Sequence, residues 1–364
     1  MFRAVLLATA FTAALAGCAS PPQGRSPYQP TADMAAVLAK QAQLGARPIE
    51  DLTVEQARVN PSVADAVRAV MAERGLPLEP ERARTEEIQV QGAAGLLPAR
   101  VYRPERAPAG PLPVILYFHG GGWVIADINT YDASARALAN AAGAIVVSSE
   151  YRRGPEARFP AAHDDAAAVY RFMLDHAAVL GGDARRMAVA GESAGGNLAI
   201  NVSLAARNEG LPMPVHQLLV YPVASTDTSA PSVREHASGT KPINGETIAW
   251  FLRYATNGPA DAQDTRLNVL GVPDLSRLPP TTIVLAQIDP LRSGGEQLAQ
   301  RLAAAGVPTD FRLFPGTSHE FFGAGAVVPE GREAVQYAAN RLQQSFAAVP
   351  PAATQPAAAR RARR

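Results

Sequence analysis

This sequence has a single cysteine and a formal net charge close to zero, and each of these features excludes a class of protein. Cys18 is the only cysteine, so the chain cannot form an internal disulfide. The formal net charge is +1, and it depends on four arginines near the end of the chain: Arg360, Arg361, Arg363 and Arg364. Without them, acidic residues outnumber basic ones by three. We therefore expect no nucleic-acid partner.

A long apolar run is also missing from the start of the chain. Residues 4–17 are apolar and follow Arg3, but the run has only 14 residues. A membrane-spanning helix needs about 20. The shorter length is typical of the apolar region of a signal peptide, which we assign to residues 1–17.

This run ends in Leu15-Ala16-Gly17-Cys18, which resembles the lipobox of bacterial lipoproteins. In such proteins the signal is cut before the cysteine, and the cysteine is acylated. The resemblance implies export and a lipid anchor on Cys18. Ala19 replaces the aspartate that retains many such proteins at the inner membrane, which favours the outer membrane. The alternative is an incidental cysteine after an ordinary signal peptide.

The remainder of the chain divides by composition and pattern. Residues 18–31 are rich in Pro, Ser, Gly and Gln, which is typical of a flexible tether. Residues 32–84 show helical spacing of apolar positions, and Thr53 is a candidate N-cap for a helix through Val59. Residues 347–364 consist mainly of Ala, Pro and Arg and are predicted to be a disordered tail.

Between these parts, from about Thr85, short apolar runs alternate with helical segments. The predicted strands are 87–91, 99–102, 114–118, 144–148, 187–190, 218–221, 281–286 and 311–314. The first two are expected to pair antiparallel, and the others to form βα units. With 47% hydrophobic residues the chain can bury a large core. We predict an α/β fold over residues 85–346, with a mostly parallel eight-stranded sheet flanked by helices.

A candidate nucleophile lies in the segment Gly191-Glu192-Ser193-Ala194-Gly195. The segment stands between a predicted strand and a predicted helix, which is the context that a nucleophile elbow requires. The glycines let neighbouring backbone approach closely. The helix N-terminus favours negative charge that develops near the serine. A Gly-x-Ser-x-Gly pattern also occurs by chance, so this context carries the prediction.

A serine nucleophile needs a base, which in this fold comes after an acid in the chain order Ser, acid, His. Of the six histidines, those that follow Ser193 are His216, His236 and His319. His216 leaves little room for an acid, and His236 lies in a polar loop without a preceding strand. His319 follows a predicted strand, so it can reach the C-terminal edge of the sheet. Elimination therefore favours His319.

The acid is predicted by the same argument from strand position. Asp289 follows the strand 281–286 at the C-terminal edge, where it could fix the tautomer of the imidazole. Asp310 opens a strand at the opposite edge, and Glu296 lies on a predicted helix. Donors for an oxyanion could come from Gly120-Gly121-Gly122 after the strand 114–118, although three glycines could also form a simple flexible loop.

Together these segments resemble the hormone-sensitive-lipase-like branch of the α/β-hydrolases, also called bacterial family IV esterases. The resemblance covers about residues 32–347. It depends on His119-Gly120-Gly121-Gly122-Trp123, Tyr151-Arg152, Pro155-Glu156, Phe159-Pro160-Ala161-Ala162, the segment 191–196, Asp289-Pro290-Leu291-Arg292 and His319.

The resemblance implies roles for individual residues. The implied triad is Ser193, Asp289 and His319. The implied oxyanion donors are the N–H groups of Gly121, Gly122 and Ala194, with Gly120 setting the turn and His119 structural. A helical cap would be formed by residues 32–84 and by an insertion at about 224–257. The candidate pocket residues are Trp123, Trp250, Phe251 and Tyr254; the last three could equally be stacked core aromatics.

The sequence departs from the family pattern beside two members of the implied triad. Glu192 replaces a usual Asp or Thr before Ser193, and Glu320 replaces a common Gly after His319. Other departures are Glu150, Arg153-Gly154 and Ser293. None removes a triad group, but the carboxylate of Glu320 is expected to raise the pKa of the His319 imidazole.

The function predicted from these motifs is a serine carboxylesterase that acts on short- to medium-chain acyl esters through an acyl-enzyme. No metal or cofactor is implied. The partners expected are a small ester substrate and a membrane, reached through the anchor on Cys18, and the protein is expected to be a monomer or a homodimer. The alternatives are an amidase or an acyltransferase with the same triad, and a non-enzymatic binding lipoprotein.

Overall fold

The computed structural model describes residues 28–77, 83–107, 109–239 and 241–350. The predicted signal peptide, Cys18, most of the tether and residues 351–364 of the predicted tail lie outside these ranges. Among the described residues, no helix combines the length and the apolar composition needed to cross a bilayer.

Within the described residues, eight strands form one sheet in the order β1-β2-β4-β3-β5-β6-β7-β8. The strands are β1 Arg84–Gly92, β2 Gly95–Arg103, β3 Leu112–Phe118, β4 Ile145–Ser149, β5 Gly182–Glu192, β6 Gln217–Val220, β7 Thr281–Ile288 and β8 Thr309–Ser318. β2 pairs antiparallel with β1 and β4, and the remaining pairs are parallel. The prediction of a mostly parallel eight-stranded sheet is confirmed.

Helices cover this sheet, as its buried parallel strands require. Every residue of β3 is buried, so both faces of the sheet centre need a helical layer. The helices that follow the strands are α4 Asp132–Ala142, α5 Ala161–His176, α6 Ala194–Glu209, α9 Arg292–Ala304 and α10 Pro329–Ala347. α5 packs on α6, and α4 packs on α10.

Further helices occupy the two segments predicted as a cap. They are α1 Ala32–Gln43, α2 Val54–Arg58, α3 Val63–Glu73, α7 Pro231–Glu235 and α8 Gly245–Ala255. Thr53 caps α2 in a capping box with Gln56, as predicted, although the helix ends one residue before Val59. Glu50 joins the two segments by accepting hydrogen bonds from Asn244 at 2.9 Å and Thr247 at 2.8 Å.

The last strand is longer than the sequence predicts. The pattern ends it at Phe314 and predicts a loop through Ser318, whereas β8 continues to Ser318. The continuation includes a register shift, after which Ser318 pairs with Ile288. Pro315 cannot donate a hydrogen bond to a neighbouring strand, so local sequence propensity does not predict this extension. His319 therefore follows the strand directly rather than lying within a loop.

Candidate active site

Ser193 lies at a sharp turn between β5 and α6. Its backbone has φ 57° and ψ −118°, a conformation that is strained for a residue with a side chain. The end of β6 holds the turn, because the N–H of Ser193 donates to the carbonyl of Val220 at 2.9 Å. The carbonyl of Ser193 accepts from the N–H of Val223 at 3.1 Å. The turn is thus fixed by the neighbouring strand.

Glycine is required on both sides of this turn. A Cβ on Gly191 would overlap the carbonyl of Gly195, and a Cβ on Gly195 would overlap the carbonyl of Phe118. The strand, the turn and the first turn of α6 can pack this closely only without those side chains. The N-terminus of α6, at Ala194, consequently lies beside the end of β3.

His319 and Asp289 meet at the same edge of the sheet. Asp289 follows β7, His319 follows β8, and the imidazole Nδ1 lies 2.7 Å from Asp289 Oδ2. Both side chains are buried. The N–H of Leu291 donates to the other carboxylate oxygen, Oδ1, at 2.8 Å. Asp289 therefore has a fixed orientation toward His319.

Ser193 and His319 line one cavity, which we call the serine cavity. Its wall also contains Gly121, Gly122 and Trp123. The structure thus brings together, around one opening, the serine, the histidine and the glycine loop that the sequence singles out.

Burial and the nearby negative charges change the pKa of His319 in opposite directions. Burial alone would lower the pKa of the imidazole, because it disfavours the charged form. The negative charge of Asp289 and its hydrogen bond outweigh burial, and Glu320 and Glu192 add further negative charge. The net effect is a raised pKa.

The other histidines and acids considered from the sequence have different surroundings. His216 lies between Ser345 and Thr282, both at 2.9 Å, and burial lowers its pKa to about 3. His236 is buried and does not line the serine cavity. Asp310 pairs with Arg341 at 3.2 Å, and Glu296 lies on α9.

The glycine loop after β3 has a backbone that favours glycine. Gly121 has φ 96° and Gly122 has φ 58°. The carbonyl of Gly121 accepts from the N–H groups of Val124 at 3.0 Å and Ile125 at 2.9 Å. Among the described residues, no acceptor is found for the N–H groups of Gly121 and Gly122. Two backbone donors at the wall of the serine cavity are thus available.

His119 supports this loop from behind. It is fully buried, its Nδ1 lies 2.8 Å from the carbonyl of Gly120, and its Nε2 lies 3.2 Å from Glu150 Oε2. Its ring stacks on Tyr151, with the centroids 4.4 Å apart. The hydroxyl of Tyr151 donates to the carbonyl of Gly120 at 3.1 Å. His119 contacts the loop and does not line the serine cavity.

Comparisons with known proteins show the family to which the chain belongs. The family model of the alpha/beta hydrolase fold matches residues 115–323. Carboxylesterase NlhH of Mycobacterium tuberculosis is 40% identical over 79% of this chain and 92% of its own. The chain belongs to the α/β-hydrolase family. The resemblance to its hormone-sensitive-lipase-like branch is confirmed.

Two further relatives extend the match. Ethyl acetate hydrolase of Pseudomonas putida is 37% identical over 68% of this chain and 78% of its own. The solved structure of an esterase from the archaeon Pyrobaculum calidifontis matches with a TM-score of 0.77 and 34% identity. That match covers 87% of this chain and 98% of the other.

The four candidate pocket aromatics of this hydrolase have different positions. Trp123 and Phe251 line the serine cavity, whereas Trp250 and Tyr254 do not. The indole N–H of Trp250 donates to the carbonyl of Leu52 at 3.0 Å, and its ring packs against Tyr254 with centroids 4.6 Å apart. Trp250 therefore packs in the core and joins the two segments that were predicted as a cap.

The hydrolase also contains a buried group of acids and phenols that the sequence analysis did not foresee. Glu192 accepts hydrogen bonds from the hydroxyls of Tyr117 and Tyr221. Tyr131 donates to Glu320 at 3.2 Å. Burial raises the pKa of both carboxyl groups. In the sequence, this group is indicated only by the glutamates next to Ser193 and His319.

This group contacts His319 directly. The ring of Tyr221 lies against the imidazole, with centroids 4.5 Å apart. Because the same tyrosine donates to Glu192, the residue before Ser193 is linked through one side chain to the ring of His319. The described ranges contain no cluster of three or more His, Cys, Asp or Glu residues that could hold a metal ion.

Proposed function

We propose that the protein is a serine carboxylesterase that hydrolyses short- to medium-chain acyl esters through an acyl-enzyme on Ser193. The observation that carries this proposal is the 2.7 Å contact between His319 and Asp289 at a cavity that also contains Ser193. A buried carboxylate on Nδ1 leaves Nε2 of the imidazole to act as the base.

The reaction follows from these groups in two steps. Nε2 of His319 accepts the proton of Ser193 while Oγ attacks the ester carbonyl, and the oxyanion is stabilised by the N–H groups of Gly121, Gly122 and Ala194. The tetrahedral intermediate then expels the alcohol oxygen, which takes the proton from His319. Water, deprotonated by His319, then attacks the carbonyl of the acyl-enzyme. The bond to Oγ of Ser193 breaks, the acid is released, and His319 gives its proton to Oγ.

The class of reaction is supported by the relatives. The chain is a carboxylic ester hydrolase, since curated esterases and carboxylesterases match most of it at about 40% identity. The name of the Pseudomonas putida relative, ethyl acetate hydrolase, supports a small ester as substrate.

The preference for short chains is supported by the size of the serine cavity. Its volume is about 130 Å³, and Phe251, Leu252 and Ile248 of α8 form part of its wall. We expect kcat/KM for 4-nitrophenyl esters to be highest between acetate and octanoate, and to fall for palmitate. Measurement of kcat/KM for a series of these esters at one pH checks this expectation. Hydrolysis of a 4-nitroanilide of the best acyl group tests for amidase activity. A maximum at palmitate would contradict the proposal.

Glu320 is expected to determine where activity is lost at acidic pH. The reaction needs neutral His319, so activity falls as the pH drops through the pKa of its imidazole. Burial opposes the charged imidazole, while Asp289 and Glu320 raise its pKa. Glu320→Gln removes one of these negative charges, so the acidic limb of kcat/KM should move to lower pH.

The matched control for this variant is Glu333→Gln. Glu333 is exposed on α10, pairs with Arg312 at 3.1 Å and does not line the serine cavity. The pH profile of this control should coincide with that of the unmodified protein. A Glu320→Gln profile with an unmoved acidic limb would show that Glu320 does not act on His319.

A further inference from the structure

A second cavity lies next to the serine cavity, between cap helix α3 and the body helices α4 and α10. Its volume is about 700 Å³, against about 130 Å³ for the serine cavity. Apolar side chains form one part of its wall, and they include Val63, Val67, Met71, Ala137, Phe322 and Val335. Polar and charged side chains form the rest, and they include Arg68, Asp132, Arg136, Asn140 and Arg332. A space of this size is within the range of small-molecule sites.

Glu320 belongs to the walls of both cavities. Its side chain is half-buried, and its carboxyl group accepts a hydrogen bond from Tyr131, which also lines the second cavity. Thr130 is the other residue that the two walls share. The side chain of Glu320 therefore lies at the partition between a small space around Ser193 and a larger space beside it.

The partition lies next to the residue that contacts the alcohol part of the ester in the proposed mechanism. In the proposed mechanism His319 returns its proton to the oxygen of the leaving alcohol, so the alcohol part of the ester lies against the imidazole. Glu320 is the next residue in the chain. Because Glu320 lines both cavities, a long alcohol chain that passes from the serine cavity into the second cavity would meet its side chain.

We propose that Glu320 determines specificity by closing the second cavity to the alcohol part of the ester. Esters of short alcohols then fit, whereas esters of long alkyl alcohols are excluded. Removal of the side chain would open the larger cavity to the alkyl chain. This inference rests on the proposed function, because it takes the orientation of the substrate from the roles of Ser193 and His319.

The test uses two isomeric esters, decyl acetate and ethyl decanoate, which differ only in which side of the ester carries the long chain. Glu320→Gly should raise the ratio of kcat/KM for decyl acetate over ethyl decanoate by about tenfold or more, as expected from burial of roughly two further methylenes. Glycine suits this position, where φ is 66°. Glu320→Gln keeps the bulk of the partition and should leave the ratio unchanged.

A second substitution identifies where the alkyl chain goes. Ala137 is partly buried on α4 and lines the second cavity, so Ala137→Trp should place a large ring in part of it. Added to Glu320→Gly, this change should reduce the gain on decyl acetate. Ala167→Trp, on α5 at a partly exposed alanine that lines neither cavity, should preserve the gain.

The outcomes separate this inference from the proposed function. An unchanged ratio in Glu320→Gly, or a gain that Ala137→Trp leaves undiminished, would overturn the partition. If Glu320→Gly does not fold, Glu320→Asn, which is shorter and tolerates positive φ, should give a smaller gain. Failure of the unmodified protein to hydrolyse 4-nitrophenyl acetate and 4-nitrophenyl butyrate would refute the proposed function alone. Decanol binding to Ser193→Ala, measured through fluorescence of Trp123 in the serine cavity, would then still be tightened by Glu320→Gly if the partition is real.

Discussion

Replacing Ser193 with alanine is expected to lower kcat for 4-nitrophenyl butyrate by a factor on the order of 10⁵ or more. The substitution removes the oxygen that forms the acyl-enzyme, and leaves only the binding and oxyanion groups. The serine side chain is small and the backbone turn is held by Val220 and Val223, so the fold should persist. Steady-state kinetics and circular dichroism of the purified variant provide the measurement.

Ser203→Ala is the matched control for this change. Ser203 is fully buried on the same helix, α6, and its hydroxyl donates to the carbonyl of Ala199 at 3.4 Å. Ser203→Ala removes a buried hydroxyl that does not line the serine cavity. The kcat of this control should therefore stay within about twofold of the unmodified value. Activity retained in Ser193→Ala would show that another residue is the nucleophile.

Replacing Asp289 with asparagine is expected to lower kcat by about 10⁴-fold, with little change in KM. An asparagine of the same shape can keep its oxygen toward the N–H of Leu291, which Asp289 now binds at 2.8 Å. Its amide would then face Nδ1 of His319, so the imidazole would carry its proton on Nε2 and could not accept one from Ser193. Measurement of kcat and KM over a range of pH checks this result.

The control for the aspartate is Asp310→Asn. Asp310 lies near the start of β8, at the edge of the sheet away from the serine cavity, and pairs with Arg341 at a partly exposed position. An exposed ion pair of this kind contributes at most about 1 kcal/mol to stability, so activity should be nearly unchanged. A kcat for Asp289→Asn within tenfold of the unmodified protein would contradict the role assigned to Asp289.

The predicted features that agree with the structure depend on local sequence and on a rule about sheets. β3 is a continuous buried run, and its alternation with helices predicts a parallel sheet. Parallel strands place their C-terminal ends at one edge, so residues that follow different strands can meet there. That rule selects Asp289 and His319 from the sequence, and in the structure their side chains lie 2.7 Å apart.

The features that the sequence did not reveal depend on contacts between distant segments. Trp250 bonds to the carbonyl of Leu52, almost two hundred residues earlier, and no periodicity on α8 indicates that partner. The group that contains Glu192 and Glu320 collects side chains from β3, the loop before α4 and the ends of β5, β6 and β8. Pairing of Ser318 with Ile288 extends β8 beyond Pro315, where local propensity predicts a loop.

Covalent labelling with a fluorophosphonate, followed by mass spectrometry of the digested protein, tests the central claim most directly. The probe reacts with an activated serine hydroxyl, so the expected result is a single adduct on Ser193 that is absent from Ser193→Ala and strongly reduced in Asp289→Asn. An adduct on a different residue, or full esterase activity in a protein that the probe does not label at Ser193, would contradict the claim that Ser193 is the nucleophile.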